Sequence, residues 1–282
     1  MPSHAQPPTV RQAVADAMRL GLERLDAQLL LLHALQRPLH DRAWLLAHDA
    51  DPVPAQALKA FQTAAQSRAQ GMPLAYLTGE REFHGLPLQV NPAVLIPRPD
   101  TETLVEWALA TLQEQPGARV LDLGTGSGAI ALALKHARTD LQVTALDASA
   151  AALQVARLNG QRLGLDIQWV LGDWLHDQPL QHFDLIVSNP PYIATSDIHL
   201  AALQHEPQTA LVSGPDGLDD LRRITAQAPR HLVDGGWLLL EHGFDQSAAV
   251  QALLTQAGFV QVQSRRDLPG LERCSGGRWP LR

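Results

Sequence analysis

One cysteine, Cys274, is all that the 282-residue chain carries, so an internal disulfide is excluded and a reducing compartment fits. Twelve histidines are present, but none stands with cysteine or other histidines at zinc-ligand spacing, so no metal is expected. Positive charge is scarce as well: 22 basic against 29 acidic residues give a net charge of −7 and a pI near 5.9. Chains that grip nucleic acid through its phosphates carry the opposite balance, so no direct nucleic-acid partner is expected. No stretch approaches the roughly 18 uninterrupted apolar residues of a membrane span. The opening MPSHAQPPTV lacks the charged start and apolar run of a secretory leader. Glycine and proline, 20 each, are near average use, which excludes collagen-like or Pro/Gly-rich disordered chains. What remains is a soluble, cytoplasmic chain whose 45% hydrophobic content can bury one large core or two ordinary ones.

From Thr9 to about Thr78 apolar residues recur at helical spacing, as in Leu25, Leu29 and Leu32, or Leu58, Phe61, Ala65 and Ala69. Pro38, Pro52, Pro54 and Pro73 cut this stretch into short helices, with Thr9 and Asp41 as N-caps. Residues 1–79 therefore read as a small helical bundle, either a substrate-docking module or a lid that only stabilises the rest. The first 80 residues hold seven basic and seven acidic side chains, which puts the whole −7 on 81–282. Residues 80–98 are rich in Pro and Gly with short apolar alternations and read as a hairpin linker.

From about residue 99 to 282 helix and strand alternate. Asp100 is placed to cap a helix running to about Leu112. Strand-like runs fall at Arg119–Leu123, Leu141–Leu146, Ile167–Leu171, Phe183–Ser188, Gly236–Leu240 and Val260–Val262. Helical stretches lie near Gly128–Ala137, Ser149–Leu163, Leu218–Pro229 and Asp245–Ala257. This rhythm predicts an α/β, doubly wound and mostly parallel sheet, with ligands bound beyond the carboxyl ends of its strands.

The chemistry is concentrated at those ends. The first strand runs into Asp122-Leu-Gly124-Thr125-Gly126-Ser127-Gly128 and then a helix. Glycines there permit a tight turn and close approach of a ligand to the helix N-terminus. The spacing matches neither the dinucleotide fingerprint nor the phosphate loop. It resembles the S-adenosylmethionine loop of class I methyltransferases; a turn that merely packs strand on helix is the plain alternative. The second strand ends at Asp147, which can accept ribose hydroxyls or cap the helix near Ser149. The third ends at Asp173-Trp174, where Trp174 can flank an adenine or simply pack, and Asp173 can accept from the adenine amine.

The fourth strand meets Asn189-Pro190-Pro191-Tyr192. Two prolines make a stiff turn rich in acceptors. The Asn189 carboxamide oxygen and the Pro190 carbonyl can accept both hydrogens of one planar NH₂ group, with Tyr192 offering it an aromatic face. An amide or aromatic-amine nitrogen is a weak nucleophile, so orientation and electrostatics would supply most of the catalysis. The catalytic candidates are Asn189, Pro190 and Tyr192, and Pro191 joins them in the substrate pocket. Cys274 reads as a packed thiol, His199 and His205 as loop residues, and Arg222-Arg223 as a solvated helix face.

Across nearly the whole chain the sequence resembles the release factor glutamine methyltransferases. The likeness lies in YLTGEREFHGLPLQV, LIPRPDTE, DLGTGSG, SNPPYI and GGWLLLEHG. It implies a class I S-adenosylmethionine-dependent, Rossmann-like fold with a seven-stranded sheet and an N-terminal helical bundle. It also implies methyl transfer to the side-chain amide nitrogen of the glutamine in a Gly-Gly-Gln motif of class-one peptide release factors. Gly124 to Gly128, Asp147, Trp174 and Asn189 would then contact S-adenosylmethionine, with no metal, and Asn189 to Tyr192 would hold the glutamine. Arg98 would shape the site, while Asp100 and Glu102 would cap a helix. LPGLERCSGGRW is the weakest match and receives no site role. The enzyme is expected to be monomeric, away from membranes, its acidic catalytic domain favouring a basic protein partner. Alternatives are a ribosomal-protein glutamine, an adenine or guanine amino group of nucleic acid, and a binding protein without catalysis.

Overall fold

The computed structural model describes residues 7–176, 179 and 181–281, so the first six residues of the opening segment lie outside the described residues. The chain divides into two compact units, Met1–Gly79 and Glu80–Arg282. The first consists of α1 (Val10–Arg19), α2 (Arg24–Ala34), α3 (Arg42–Ala47), α4 (Ala55–Ala69) and α5 (Leu74–Thr78). Thr9 caps α1 in a capping box with Gln12. Asp41 precedes α3 without making a side-chain cap; its carboxylate takes Arg37 at 3.1 Å instead. Ala27, Leu30, Leu31 and Leu32 of α2 meet Phe61 and Ala65 of α4 in this core, whereas Leu25 is exposed. The run of four leucines at 29–32 obscures the helical phase in the sequence.

The second unit opens with the antiparallel hairpin β1 (Glu80–Phe83) and β2 (Leu86–Gln89). The hairpin belongs to the second unit. Phe83, Leu86 and Leu88 are buried in one core with Leu104, Val105 and Leu132. Gln89 exchanges two backbone hydrogen bonds with the Asn159 carboxamide, at 2.7 and 3.0 Å, which docks the hairpin on α8 (Ala150–Leu163).

The main sheet has seven strands in the order β5-β4-β3-β6-β7-β9-β8. They are β3 (Arg119–Leu123), β4 (Gln142–Asp147), β5 (Gln168–Leu171), β6 (Phe183–Ser188), β7 (Leu232–Glu241), β8 (Val260–Arg266) and β9 (Glu272–Arg278). All pairs are parallel up to β7, and β9 runs antiparallel between β7 and β8. Side chains alternate across the sheet: Val120 joins the core with α6 (Glu102–Thr111) and α7 (Ala129–Ala137), and Leu121 the opposite core with α9 (Asp219–Gln227) and α10 (Ser247–Gln256).

β9 is the strand that sequence patterning misses, because ERCSGGR lacks the β-branched and aromatic residues that mark strands. Its glycines answer a packing need. A Cβ on Gly276 would come within 2.8 Å of the Leu238 carbonyl and 3.0 Å of the Trp107 ring. Strand order reverses between β4-β3 and β6, which opens a crevice at the carboxyl ends of β3 and β6. Among the described residues no helix is long and apolar enough to cross a membrane.

Candidate active site

The crevice holds a cavity of about 450 Å³ walled by the glycine loop, the ends of β4, β5 and β6, and the segments 93–101 and 207–212. That volume is in the range of small-molecule and cofactor sites. Gly124, Gly126 and Gly128 have φ of +70°, +56° and +85°, the left-handed region that glycine enters without strain. Asp122, fully buried beneath the loop, accepts from the Thr125 hydroxyl at 2.6 Å and the Ala131 N–H at 3.2 Å. It is a strut of the loop. Desolvation pushes its acid up to about 7.

Asp147 ends β4 and lies in the wall. One oxygen accepts the Gly126 N–H and the other the Ser149 N–H, both at 2.8 Å. Each oxygen keeps a lone pair for a further donor. Ser149 itself caps α8, accepting from Ala152. Burial raises the Asp147 acid, and its backbone hydrogen bonds oppose the shift. Trp174 stands across the loop, two ring carbons 3.2 Å from where a Gly124 Cβ would sit. Its N–H goes to Asp220 at 2.9 Å. Asp173 lies in the same wall, largely exposed and ion-paired with Arg223 at 2.7 Å. Arg223 thus reaches the cavity rim rather than sitting on a free helix face.

Asn189 closes the other end, its Nδ2 donating to Thr101 Oγ1 at 3.1 Å. That bond leaves the carboxamide oxygen as the free acceptor. Pro191 lines the cavity with it, whereas Pro190 and Tyr192 stand outside this wall. Tyr192 is half-buried, and its hydroxyl reaches back to Glu241 Oε1 at 3.5 Å. Burial and the Glu241 charge raise the phenol above its ordinary value. Cys274 is fully buried and its thiol raised by desolvation, which suits a packed side chain and not a nucleophile.

The RPDTE phrase serves the site differently from the sequence expectation. Asp100 lies within a short 3-10 helix, Pro99–Thr101, and its carboxylate faces Arg273 at 3.5 Å. Glu102 accepts the His84 N–H at 3.1 Å. Neither caps α6. Arg98 lines the cavity and is ion-paired with buried Glu206, which also accepts the Ile96 N–H at 3.1 Å. Sequence reasoning missed Thr101, Asp220, Glu241 and Arg273. Only Glu241 leaves a signal there: a lone acid closing the apolar run WLLLE. Arg273 falls in LPGLERCSGGRW, so that segment supplies both the seventh strand and a charge behind the site. Among the described residues no group of His, Cys, Asp and Glu is arranged to hold a metal.

Residues 11–79 match the family model for the PrmC N-terminal domain, and residues 101–214 that for the methyltransferase small domain. The release factor glutamine methyltransferase of Bordetella pertussis is 54% identical over 260 residues, spanning 91% of this chain and 95% of its own. That of Xylella fastidiosa strain 9a5c is 51% identical over 271 residues, spanning 95% and 98%. Among solved structures, a methyltransferase from Pyrococcus furiosus superposes with a TM-score of 0.53 at 20% identity. It covers 70% of this chain and 90% of that one, a likeness of fold.

Proposed function

Because the chain belongs to the release factor glutamine methyltransferases, we propose that it methylates the side-chain amide nitrogen of the Gly-Gly-Gln glutamine in class-one peptide release factors. The cavity suits S-adenosylmethionine: a carboxylate with spare lone pairs at Asp147, an indole at Trp174, and room above Gly124 that a Cβ would take from the ring. Bound there, S-adenosylmethionine supplies an electrophilic methyl group on a sulfonium. Gly124, Thr125, Gly126, Ser127, Gly128, Asp147, Trp174 and Asn189 hold it, and Asp173 sits where the base would end.

The observation that carries this reading is the orientation of Asn189. With its NH₂ committed to Thr101, its oxygen accepts one N–H of the substrate amide. The Pro190 carbonyl accepts the other once the glutamine enters, and Tyr192 and Pro191 confine the plane of the amide. Both N–H bonds held, the nitrogen is aimed along one line, which is where the rate gain arises. The nitrogen's proton becomes acidic as the N–C bond forms, so no strong base is needed at the site. The acidic residues 81–282 favour a basic protein partner, and the enzyme acts as a cytoplasmic monomer without nucleic acid.

Labelled S-adenosylmethionine tests this with four acceptors: a release factor, its Gly-Gly-Ala variant, ribosomal proteins and duplex DNA. Label is expected in the unmodified factor alone. Equal label in the Gly-Gly-Ala variant, or transfer to ribosomal protein or DNA in its place, overturns the reading.

A further inference from the structure

The Asn189–Tyr192 turn is stiff inside and fastened at its ends. The rings of Pro190 and Pro191 fix two φ angles, and a residue that precedes a proline is kept extended, which restrains Asn189 and Pro190 as well. Such a segment swings as a unit, so the direction of the Pro190 carbonyl depends on where the two ends are held. The entry end is held by β6, by the Ser188 hydroxyl on the Leu123 carbonyl at 2.7 Å, and by Asn189 on Thr101 at 3.1 Å. The exit end leads into residues 193–218, which carry only two short 3-10 helices, Ile198–Leu203 and Gln208–Ala210, before α9. Ile193 bonds to Leu211 and Ser213, but those residues belong to the same excursion.

A side chain from the other end of β7 reaches that exit. Gln246 stands at the N-cap position of α10. Its Nε2 donates to the Tyr192 carbonyl at 3.0 Å and lies 3.4 and 3.5 Å from the carbonyls of Asp216 and Gly217. Its Oε1 accepts the Gly243 N–H at 2.8 Å. With an N–H on one side and carbonyls on the other, the network assigns the two ends of the carboxamide. Gly217 backs the same carbonyl: a Cβ there would overlap the Tyr192 oxygen and stand 2.8 Å from Gln246 Nε2. The Tyr192 carbonyl is clamped between a carboxamide and a backbone that both lie outside the turn.

We propose that Gln246 is a positioning residue for methyl transfer: it fixes the exit end of the turn and so aims the Pro190 carbonyl at the second N–H of the substrate amide. This rests on the reading of the turn as the pocket of the glutamine amide. Thr101 sets one acceptor through Asn189, and Gln246 sets the other from the opposite end. Without Gln246 the stiff turn pivots about Asn189, and the Pro190 carbonyl leaves the plane of the amide. One N–H stays held while the nitrogen loses its line to the methyl group, which costs rate more than binding. The cofactor side is spared, since Gln246 and Gly217 lie outside the cavity wall.

Two substitutions of similar length test this on a release factor with S-adenosylmethionine. Gln246→Glu keeps an oxygen for the Gly243 N–H but turns an acceptor toward the Tyr192 carbonyl, whereas Gln246→Met loses both contacts. If Gln246 only braced the start of α10, the glutamate would be the milder change. As a positioning residue it is expected to lose about tenfold or more in kcat in both variants, with Gln246→Glu no faster than Gln246→Met. KM for the release factor and calorimetric affinity for S-adenosylmethionine are expected to stay within about threefold, the latter showing that both variants fold. A kcat within about twofold of wild type in Gln246→Glu, a Gln246→Glu variant faster than Gln246→Met, or cofactor affinity falling in step with kcat overturns the positioning role. A wild-type enzyme that labels no release factor overturns the functional reading instead.

Discussion

Trp174 donates its indole N–H to Asp220 Oδ1 over 2.9 Å, across 46 residues of chain. The other oxygen of Asp220 accepts the Ser213 hydroxyl at 2.8 Å, and that hydroxyl accepts the Asp220 N–H at 2.8 Å. One carboxylate therefore ties the cofactor wall at the end of β5 to the loop that follows the Asn189–Tyr192 turn. Trp174 sits at φ +49°, a conformation that costs a bulky residue strain, so tertiary contacts must hold the ring in place. Asp220→Ala removes the hydrogen bond to the ring and, with it, the tie to Ser213. Cofactor affinity is expected to fall about tenfold, or about 1.4 kcal/mol, with Asp220→Asn in between because its amide oxygen still accepts the indole. Calorimetric titration with S-adenosylmethionine checks this; unchanged affinity in Asp220→Ala would separate Trp174 from cofactor binding.

Gly124 and Gly117 form a matched pair of tests. Both have positive φ, +70° and +69°, but only Gly124 has a ring within reach, at 3.2 Å from a built Cβ. Each Gly→Ala change costs about 1–2 kcal/mol of backbone strain. The two variants are expected to lose similar thermal stability. Gly124→Ala alone also displaces Trp174 and weakens S-adenosylmethionine binding, whereas Gly117→Ala binds as wild type. Equal affinities in the two variants would contradict the placing of Gly124 and Trp174 against the cofactor.

How much of this is legible in the sequence depends on whether a requirement is local. The glycine loop, Asp147 and the Asn189 turn announce themselves because a particular residue type is needed at a particular strand end. Thr101 and Asn189 lie 88 residues apart, and Tyr192 and Glu241 49 apart; the pairing of β6 with β7 brings the second pair together and the packing of α6 on those strands the first, and no spacing encodes either. The same limit explains Tyr192. An aromatic ring after two prolines reads as part of the pocket wall, but the contact of its hydroxyl with buried Glu241 is set by the fold and leaves no trace in the spacing. β9 is illegible for a different reason. Its glycines are chosen by close neighbours, Leu238 and Trp107 at Gly276 and Phe259 at Gly277, so its composition reports tight contacts and not a strand.

Arg98 and Glu206 hold the segment 94–98 against the loop after the turn. The Glu206 side chain is 4% exposed, so losing Arg98 leaves a buried carboxylate with a backbone N–H as its remaining partner in that pair of contacts. Such a loss costs about 3 kcal/mol. Arg98→Ala is expected to lower the melting temperature by several degrees and to raise KM for the release factor more than it lowers kcat, because the cavity wall shifts while Asn189 stays tied to Thr101. Arg98→Ala/Glu206→Gln is expected to recover much of the stability, since no charge is stranded. Thermal unfolding of the single and double variants decides it; a double variant less stable than Arg98→Ala would refute the account.

Asp122 and Glu241 together give the enzyme an inverted pH dependence of stability. Both are fully buried, and desolvation is the main cause that pushes each up to about 7. Their ordinary values are 3.8 and 4.5, so between those values and 7 the folded chain holds protons that the unfolded chain releases. Their contribution is complete below pH 4 and is lost as pH rises through 7. At pH 8 each buried acid therefore destabilises the fold relative to pH 5 by on the order of 3 kcal/mol. Asp122→Asn and Glu241→Gln remove the charge that must be buried, while an amide oxygen remains to accept from Thr125 or Tyr192. Each variant is expected to flatten the profile and to be more stable than the wild type at pH 8.5, with little difference at pH 5.5. Urea unfolding at the two pH values measures it, and a wild-type profile that runs parallel to those of both variants would remove the buried acids as its cause.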